Sequence, residues 1–349
     1  MKVLVYFKTK KGQQEFEASR LAQNIRNGLE LSGVQISRNM FPNDYQLIHL
    51  LRPGDENNIL ITERNQNIPL IYSVLSCEHD IGTSMLLKKS EQPSLTKRAL
   101  SALAKADGII VSNKKAKDLL TKYGEISAPI YIASLGVNVA RFDYNKEVEL
   151  QIFPKYFQME KPAKMVLTLG DYTKGEGIET LDRISREFPN IFFLFLGKKS
   201  RWFSLSSKTR KLVKKAPKNL QYSSLVPGDV YRSTMLNTDV LFVPRPGMLG
   251  DITIIDAMAS KTQIVIGRDA IEDESLINDR TALIGDDFDD FKKLIGTYCR
   301  NLMKTTVRTA YEEISKQSLD ILGLELKGIY EDILRKKVKK NDRSTKSEK

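Results

Sequence analysis

Short apolar runs alternate with amphipathic stretches along the first part of the chain. The runs are rich in β-branched and aromatic residues, as buried parallel strands are, and they lie at 2–7, 34–36, 45–51, 68–75, 106–113 and 129–137. Between the first two runs, Leu21, Ile25 and Leu29 recur at the spacing of one helical face. Further helices are predicted at 94–105 and 114–123. This alternation predicts a doubly wound parallel sheet.

The same pattern starts again in the second part of the chain. Its predicted strands lie at 163–170, 190–197, 220–226, 239–244 and 262–267. Helices are predicted at 176–187 and 251–260, the second of them despite its β-branched residues, because strands flank it. Two more helices, near 287–303 and 309–336, close the chain.

These two sets of elements predict an α/β protein with two Rossmann-like domains that face a central cleft. The N-terminal domain is placed at 1–155 and the C-terminal domain at 156–310. A helix at 311–336 is expected to cross back to the N-terminal domain, and 337–349 is expected to be a basic disordered tail. Ligands of such sheets bind at the carboxyl ends of the strands.

Length, composition and charge narrow the class of protein. The 349 residues, 41% hydrophobic and 28% charged, are typical of a globular protein of about two domains. The two cysteines, Cys77 and Cys299, provide no disulfide framework and favour a cytoplasmic location. No apolar run has the ~18–20 residues that a membrane span needs.

The net charge of +12 predicts an anionic partner. The positive charge is concentrated at 198–218, which has no acidic residue, and in the tail from Arg335. A solvated face with a frayed end is the alternative explanation. Nucleic acid is disfavoured as the partner, because no zinc-ligand spacing, RNA-binding aromatic pattern or helix-turn-helix pattern accompanies the charge.

Several stretches in a fixed order carry a family resemblance. They are DYQLIHL, KADGIIVSN, YGEISAPIYIASLGVNVARF, GDYTKGEGIETL, VPGDVY, DVLFVP and IIDAMAS. With them the chain resembles a GT-B glycosyltransferase of family four, and more closely the bacterial hexosyltransferases of diacylglycerol-based glycolipids. The resemblance extends from the first strand to 325–334. It implies a nucleotide sugar, usually a UDP-hexose, in the C-terminal half, and a glycolipid or glycan acceptor in the N-terminal half. It also implies transfer with retention and no cofactor or essential metal.

The resemblance also points to residues of the nucleotide-sugar site. Asp256 lies where the family has the glutamate that binds the ribose hydroxyls; the alternative is an acidic residue that interacts with a helix dipole. The backbone of Asp251, Ile252 and Thr253 corresponds to the amides that hold the donor phosphate. Lys174 lies one residue before the position of a phosphate-binding Arg-Lys pair.

Other positions depart from the family pattern. Gly175 and Glu176 stand where the Arg-Lys pair is expected, Met248 replaces a sugar-contacting glutamate, and 16–19 lacks the glycines of a phosphate loop. A relocated phosphate site would use Lys174, Arg245, Lys198 or Lys199. Two hypotheses follow: a working, divergent glycosyltransferase, or a catalytically silent relative that acts as a binding partner or scaffold, for instance of a paralogous glycosyltransferase.

The remaining candidates are weaker. Ser73 or Leu75 corresponds to a histidine of the reacting centre, and His79 lies nearby in a polar loop. His49 is interpreted as a core or strand-end residue and Cys77 as inert. Phe192, Phe193 and Phe195 are interpreted as a buried strand, whereas Trp202 is compatible with either a membrane interface or a hinge.

The stretch 84–105 combines leucines with basic residues and predicts contact with an anionic membrane surface. Its candidate contact residues are Lys88, Lys89, Lys97 and Arg98, with Leu86, Leu87, Leu95, Leu100 and Leu103 as the apolar side. A helix packed on the sheet, with its lysines extended to solvent, is the alternative. The predicted location is cytoplasmic, peripheral on the inner face of the cell membrane.

Overall fold

A computed structural model of the chain shows two compact units. It describes residues 1–7, 17–37, 44–51, 53, 61, 67–74, 97–143, 146–172, 175–198, 205–245, 251–271, 275–299 and 305–347. The first unit combines Met1–Gly136 with Gln317–Lys349, and the second is Val137–Lys316. The second unit starts earlier than the predicted domain 156–310, because short helices at 140–157 pack within it.

The first unit contains a six-stranded parallel sheet. Its strands are β1 (Lys2–Tyr6), β2 (Gln35–Ser37), β3 (Leu47–Leu51), β4 (Leu70–Val74), β5 (Gly108–Val111) and β6 (Ile130–Ile132). They lie in the order β2-β1-β3-β4-β5-β6. The residues of β3, β4 and β5 are all buried, as expected of a parallel sheet covered on both faces.

Among the described residues of this unit, four helices accompany the sheet. They are α1 (Glu17–Leu31), α2 (Lys97–Leu103), α3 (Lys114–Leu120) and α13 (Leu319–Ser347). The side chain of Asn113 caps α3 by accepting a hydrogen bond from the amide of Ala116. Helix α13 continues to Ser347, so the tail predicted to be disordered from 337 is helical up to that residue. Lysine and arginine are good helix formers, and a high charge does not by itself end a helix.

The second unit contains another six-stranded parallel sheet. Its strands are β7 (Met165–Asp171), β8 (Phe192–Lys198), β9 (Leu220–Ser224), β10 (Val240–Val243), β11 (Gln263–Gly267) and β12 (Leu283–Gly285). Their order is β12-β11-β10-β7-β8-β9, the strand order of a dinucleotide-binding Rossmann sheet. Phe193 and Phe195 are fully buried in β8, as predicted.

The helices of the second unit connect these strands. They are α4 (Ala140–Asp143), α5 (Lys146–Leu150), α6 (Ile152–Phe157), α7 (Gly175–Glu187), α8 (Ser207–Lys214), α9 (Gly228–Asn237), α10 (Asp251–Ala259), α11 (Phe288–Cys299) and α12 (Thr305–Ile314). A short 3-10 turn, Arg268–Ala270, follows β11. The predicted helix at 309–336 is therefore wrong as a single element: α12 ends at Ile314 and α13 begins at Leu319.

Helix α13 packs against α1 with direct backbone contact. A Cβ atom on Gly323 would overlap the carbonyl oxygen of Gly28, and one on Gly28 would lie 2.6 Å from the carbonyl oxygen of Leu319. Gly136 also faces α13: its φ is +67°, and a Cβ there would lie 2.6 Å from Leu322. The absence of side chains at these glycines lets the final helix lie close to α1 and to the segment around Gly136.

A buried polar group joins α13 to the sheet. His49 on β3 has no exposed surface, and its Nδ1 atom is 2.6 Å from the Tyr330 hydroxyl. Its Nε2 atom is 2.7 Å from the Ser73 hydroxyl on β4. His49 is therefore a core residue, as predicted. Burial lowers its pKa from 6.5 to about 3, because the imidazolium would lose its hydration.

This burial predicts a pH-dependent stability. The unfolded chain takes up a proton at His49 below pH 6.5, whereas the folded chain stays neutral there down to about pH 3. His49 therefore lowers the free energy of unfolding by up to about 1.4 kcal/mol for each pH unit below 6.5, and has no such effect above that pH. Urea denaturation at pH 4.5, 5.5 and 7.5 measures the slope.

The matched control is His49→Gln, which keeps hydrogen-bonding groups but does not titrate. Its stability is expected to depend less steeply on pH than that of the natural chain. Between pH 4.5 and 6 the difference in slope corresponds to about one proton taken up on unfolding. Equal slopes in the two proteins would mean that His49 is not held neutral in the folded state.

Candidate functional site

The sheet of the second unit reverses its strand order between β7 and β10. The chain proceeds outward from β7 through β8 to β9 and then returns to the other side of β7 with β10. The carboxyl ends of the two strands, at Asp171 and Val243, border this switch point. Ligands of doubly wound sheets bind there, so this edge is the candidate site of the second unit.

Helix α10 begins at this edge and contains four of the predicted site residues. Asp251 is its first residue, and the buried Ile252 and Thr253 follow. Because the first amides of a helix have no partner within it, their N–H groups are suited to an anion. The prediction used only the backbone of these residues, and their place in the first turn is compatible with it.

Asp256 lies in the middle of α10 rather than at its start. Its side chain is 3% exposed, and its Oδ2 atom accepts a 2.9 Å hydrogen bond from the hydroxyl of Tyr231 on α9. The alternative of an acidic residue that interacts with the helix dipole is therefore wrong, because that effect is confined to the first turn. The carboxylate links two helices, and sequence reasoning did not identify Tyr231 as its partner.

Exposed ion pairs connect the carboxyl ends of β10, β11 and β12. The Arg245 Nη1 atom, just after β10, is 3.1 Å from the Asp269 Oδ2 atom, just after β11. Arg268 makes two contacts with Asp286, at 2.6 and 3.1 Å. The Arg268 guanidinium holds the pKa of the Asp286 carboxyl below its usual value. Arg245 was among the alternative phosphate ligands; its pairing with Asp269 was not predicted.

On the other side of β7 the same edge is aromatic. Tyr172 follows β7, packs edge-to-face on Phe195 and donates a 2.9 Å hydrogen bond to the carbonyl of Ser223. Burial raises the pKa of the Tyr172 phenol well above its usual value. A Cβ on Gly197 would lie 2.8 Å from the Tyr172 ring, so a glycine is needed beneath it.

Several predicted residues lie outside the part of the chain that the structure describes. They are Leu75, Cys77, His79, Leu86, Leu87, Lys88, Lys89, Leu95, Lys174, Lys199, Trp202 and Met248. Residues 17–19 of the predicted phosphate-loop stretch are helical, in the first turn of α1.

In the first unit, the described part of the predicted membrane stretch is α2. Lys97 and Arg98 are exposed, whereas Leu103 is buried in the core and Leu100 packs against it. The prediction that Leu103 faces a membrane is therefore wrong, because this side chain is buried in the core, and the partly buried Leu100 is directed to the same core. Within the described ranges, no helix is both long and apolar enough to cross a membrane.

Known proteins with similar sequence or structure include glycosyltransferases. The chain is 24% identical over 336 residues to the processive diacylglycerol alpha-glucosyltransferase of Acholeplasma laidlawii, covering 96% of this chain and 99% of the relative. No protein-family model matches the chain.

Solved structures agree on the fold. Anabaena Alr3699/HepE in complex with UDP-glucose is similar with a TM-score of 0.71 and 11% identity over 95% of this chain and all of the other. A glycosyltransferase of Rickettsia africae gives a TM-score of 0.65 at 13% identity, over 95% and 98% of the two chains. The chain therefore has the GT-B fold, and its predicted resemblance to diacylglycerol glycolipid glycosyltransferases is confirmed.

Proposed function

We propose that this protein transfers a hexose from a nucleotide sugar, a UDP-hexose, to a membrane glycolipid or a cell-envelope glycan. The transfer retains the configuration at the anomeric carbon of the hexose. The observation that carries the proposal is the similarity over 96% of the chain to a diacylglycerol alpha-glucosyltransferase. The donor lies at the switch point of the second unit. The first amides of α10 face its diphosphate, and the proposed reaction needs no cofactor or metal.

The acceptor binds the first unit. The protein reaches this acceptor by binding to an anionic membrane surface. The exposed Lys97 and Arg98 of α2, with Lys88 and Lys89, make this contact. Their positive charges attract anionic headgroups, while the apolar face of α2 packs on the protein's own sheet. The protein is thereby held peripherally at the inner face of the cell membrane.

A catalytically silent relative that binds a partner, such as a paralogous glycosyltransferase, is the second candidate. The buried Asp256 favours it, because a ribose must reach a carboxylate that is 3% exposed and already accepts a hydrogen bond from Tyr231. Working enzyme and silent relative differ first in nucleotide binding, which is therefore the first property to measure.

Thermal-shift measurements with UDP, UDP-glucose, UDP-galactose and a GDP-hexose test the donor site. A ligand present at a hundred times its Kd is expected to stabilise the protein by ~2.7 kcal/mol. We expect Asp256→Asn to abolish most of the shift, because the amide replaces the charged acceptor of the ribose hydroxyls.

Tyr231→Phe is the matched control, since it removes the hydrogen bond between Tyr231 and Asp256 and leaves the carboxylate in place. It is expected to lower the melting temperature of the free protein but to keep the nucleotide-induced shift. A full shift in Asp256→Asn would show that Asp256 does not bind the ribose. No shift with any nucleotide would contradict the proposed function.

A further inference from the structure

Arg245 lies at the switch point where the proposed function places the donor. It comes two residues after the end of β10, and its side chain is 44% exposed. Two other charged residues are described near the carboxyl ends of β7 and β10. Both are acidic: Asp171 ends β7 and Asp251 begins α10. A diphosphate bound here needs a nearby cation, and the planar guanidinium of arginine fits phosphate oxygens well.

The present partner of Arg245 is weakly held. One contact of 3.1 Å joins the Arg245 Nη1 atom to the Asp269 Oδ2 atom, and the two side chains are 44% and 51% exposed. Exposed pairs of this kind contribute little to stability, because water screens them and two side chains must be ordered. A phosphate can therefore replace Asp269 as the partner of Arg245 at small cost.

The fold makes room for this pairing. Asp269 lies in the short turn after β11, and Gly267 ends that strand. A Cβ on Gly267 would lie 2.9 Å from the Asp269 Oδ1 atom and 2.8 Å from the carbonyl oxygen of Pro244. Because Gly267 has no side chain, the Asp269 carboxylate can approach the end of β10, which Arg245 follows.

The neighbouring pair provides a comparison. Arg268 is similarly exposed, but two hydrogen bonds hold it to Asp286. It also lies at the ends of β11 and β12, one strand farther from the switch point. Arg268, like Arg245, is thus an arginine paired with an aspartate, but it lies where no nucleotide sugar is expected to bind.

We propose that Arg245 binds the diphosphate of the nucleotide sugar and that Asp269 holds this arginine in position until the donor replaces it. The proposal rests on the proposed function, since it names a further ligand for the same donor. It adds the positive charge of Arg245 to the phosphate contacts that the proposed function gives to the first amides of α10.

Calorimetric titration with UDP and with uridine tests the proposal, because the two ligands differ only in the diphosphate. We expect Arg245→Gln to weaken UDP binding about tenfold to a hundredfold and to leave uridine binding unchanged. Asp269→Asn releases Arg245 and is expected to strengthen UDP binding by up to about fivefold. The matched control, Arg268→Gln, is expected to bind UDP as the natural chain does.

The outcomes separate the two proposals. All three substituted side chains are at the surface, so the variants are expected to fold, and their melting curves check this. If the natural chain binds UDP and Arg245→Gln binds it equally well, the role of Arg245 is overturned while the proposed function stands. An equal loss in Arg268→Gln would also overturn it, since any surface cation would then serve. If the natural chain binds no UDP, both proposals fail.

Discussion

Replacing Gly323 by alanine is expected to lower the free energy of unfolding by about 3 kcal/mol or more, at the upper end of the usual overpacking range. The new methyl group would overlap the backbone carbonyl oxygen of Gly28, and a Cβ atom is fixed rigidly to the backbone of its own helix. No change of rotamer relieves such a clash, so α1 and α13 must move apart. Urea denaturation followed by circular dichroism measures the loss.

Gly328→Ala is the matched control, because it is the same substitution five residues later in α13. A Cβ there has no atom within 4 Å. Alanine should therefore stabilise the helix by about 0.5–1 kcal/mol through its higher helix propensity. If Gly323→Ala is as stable as Gly328→Ala, the close crossing of α1 and α13 is incorrect.

Changing Lys88, Lys89, Lys97 and Arg98 together to serine is expected to reduce binding to phosphatidylglycerol-rich vesicles by up to about a thousandfold. Each basic residue near an anionic surface contributes roughly 1 kcal/mol, and ~1.4 kcal/mol corresponds to a factor of ten. Vesicle sedimentation measures the effect. Binding by the natural chain should also weaken steeply with salt, because the attraction extends over a Debye length of about 8–10 Å.

An equal change of charge elsewhere shows whether vesicle binding depends on these four basic residues or on the net charge of +12. Lys211, Lys214, Lys215 and Lys218 are exposed in and just after α8 of the second unit. Changed together to serine, they should leave most of the vesicle binding intact. Equal pelleting with neutral and anionic vesicles, or an equal loss in both variants, would contradict the membrane contact of the first unit.

Most strands were predictable because they are short apolar runs, and β3, β4, β5, β10 and β11 are buried along their whole length. Strand β12, which has only three residues, was not predicted. Helix α10 was predictable in spite of its β-branched residues, since a parallel crossover between two strands needs a helix. Helix α8 was missed because its polar sequence has only Leu212 and Val213 as large apolar residues. The single predicted final helix ignored the break between Ile314 and Leu319, where the chain passes from one unit to the other.

Side-chain partners far apart in the sequence were beyond sequence reasoning. Asp256 was found through its family position, but its contact with Tyr231 depends on how α9 packs against α10. Arg245 and Asp269 are brought together by the pairing of β10 with β11. This pairing cannot be predicted from a single sequence. The contact between Gly28 and Gly323 likewise appears only when the final helix lies on α1.

The central claim is that this chain transfers a hexose from a UDP-sugar to a lipid. The most direct measurement incubates the protein with radiolabelled UDP-glucose or UDP-galactose and mixed vesicles of phosphatidylglycerol and diacylglycerol, with and without a monohexosyl diacylglycerol, and separates the lipids by thin-layer chromatography. We predict a labelled glycolipid that Asp256→Asn does not form. UDP binding without any labelled lipid, from either donor and at any acceptor, would contradict the claim and favour the silent relative.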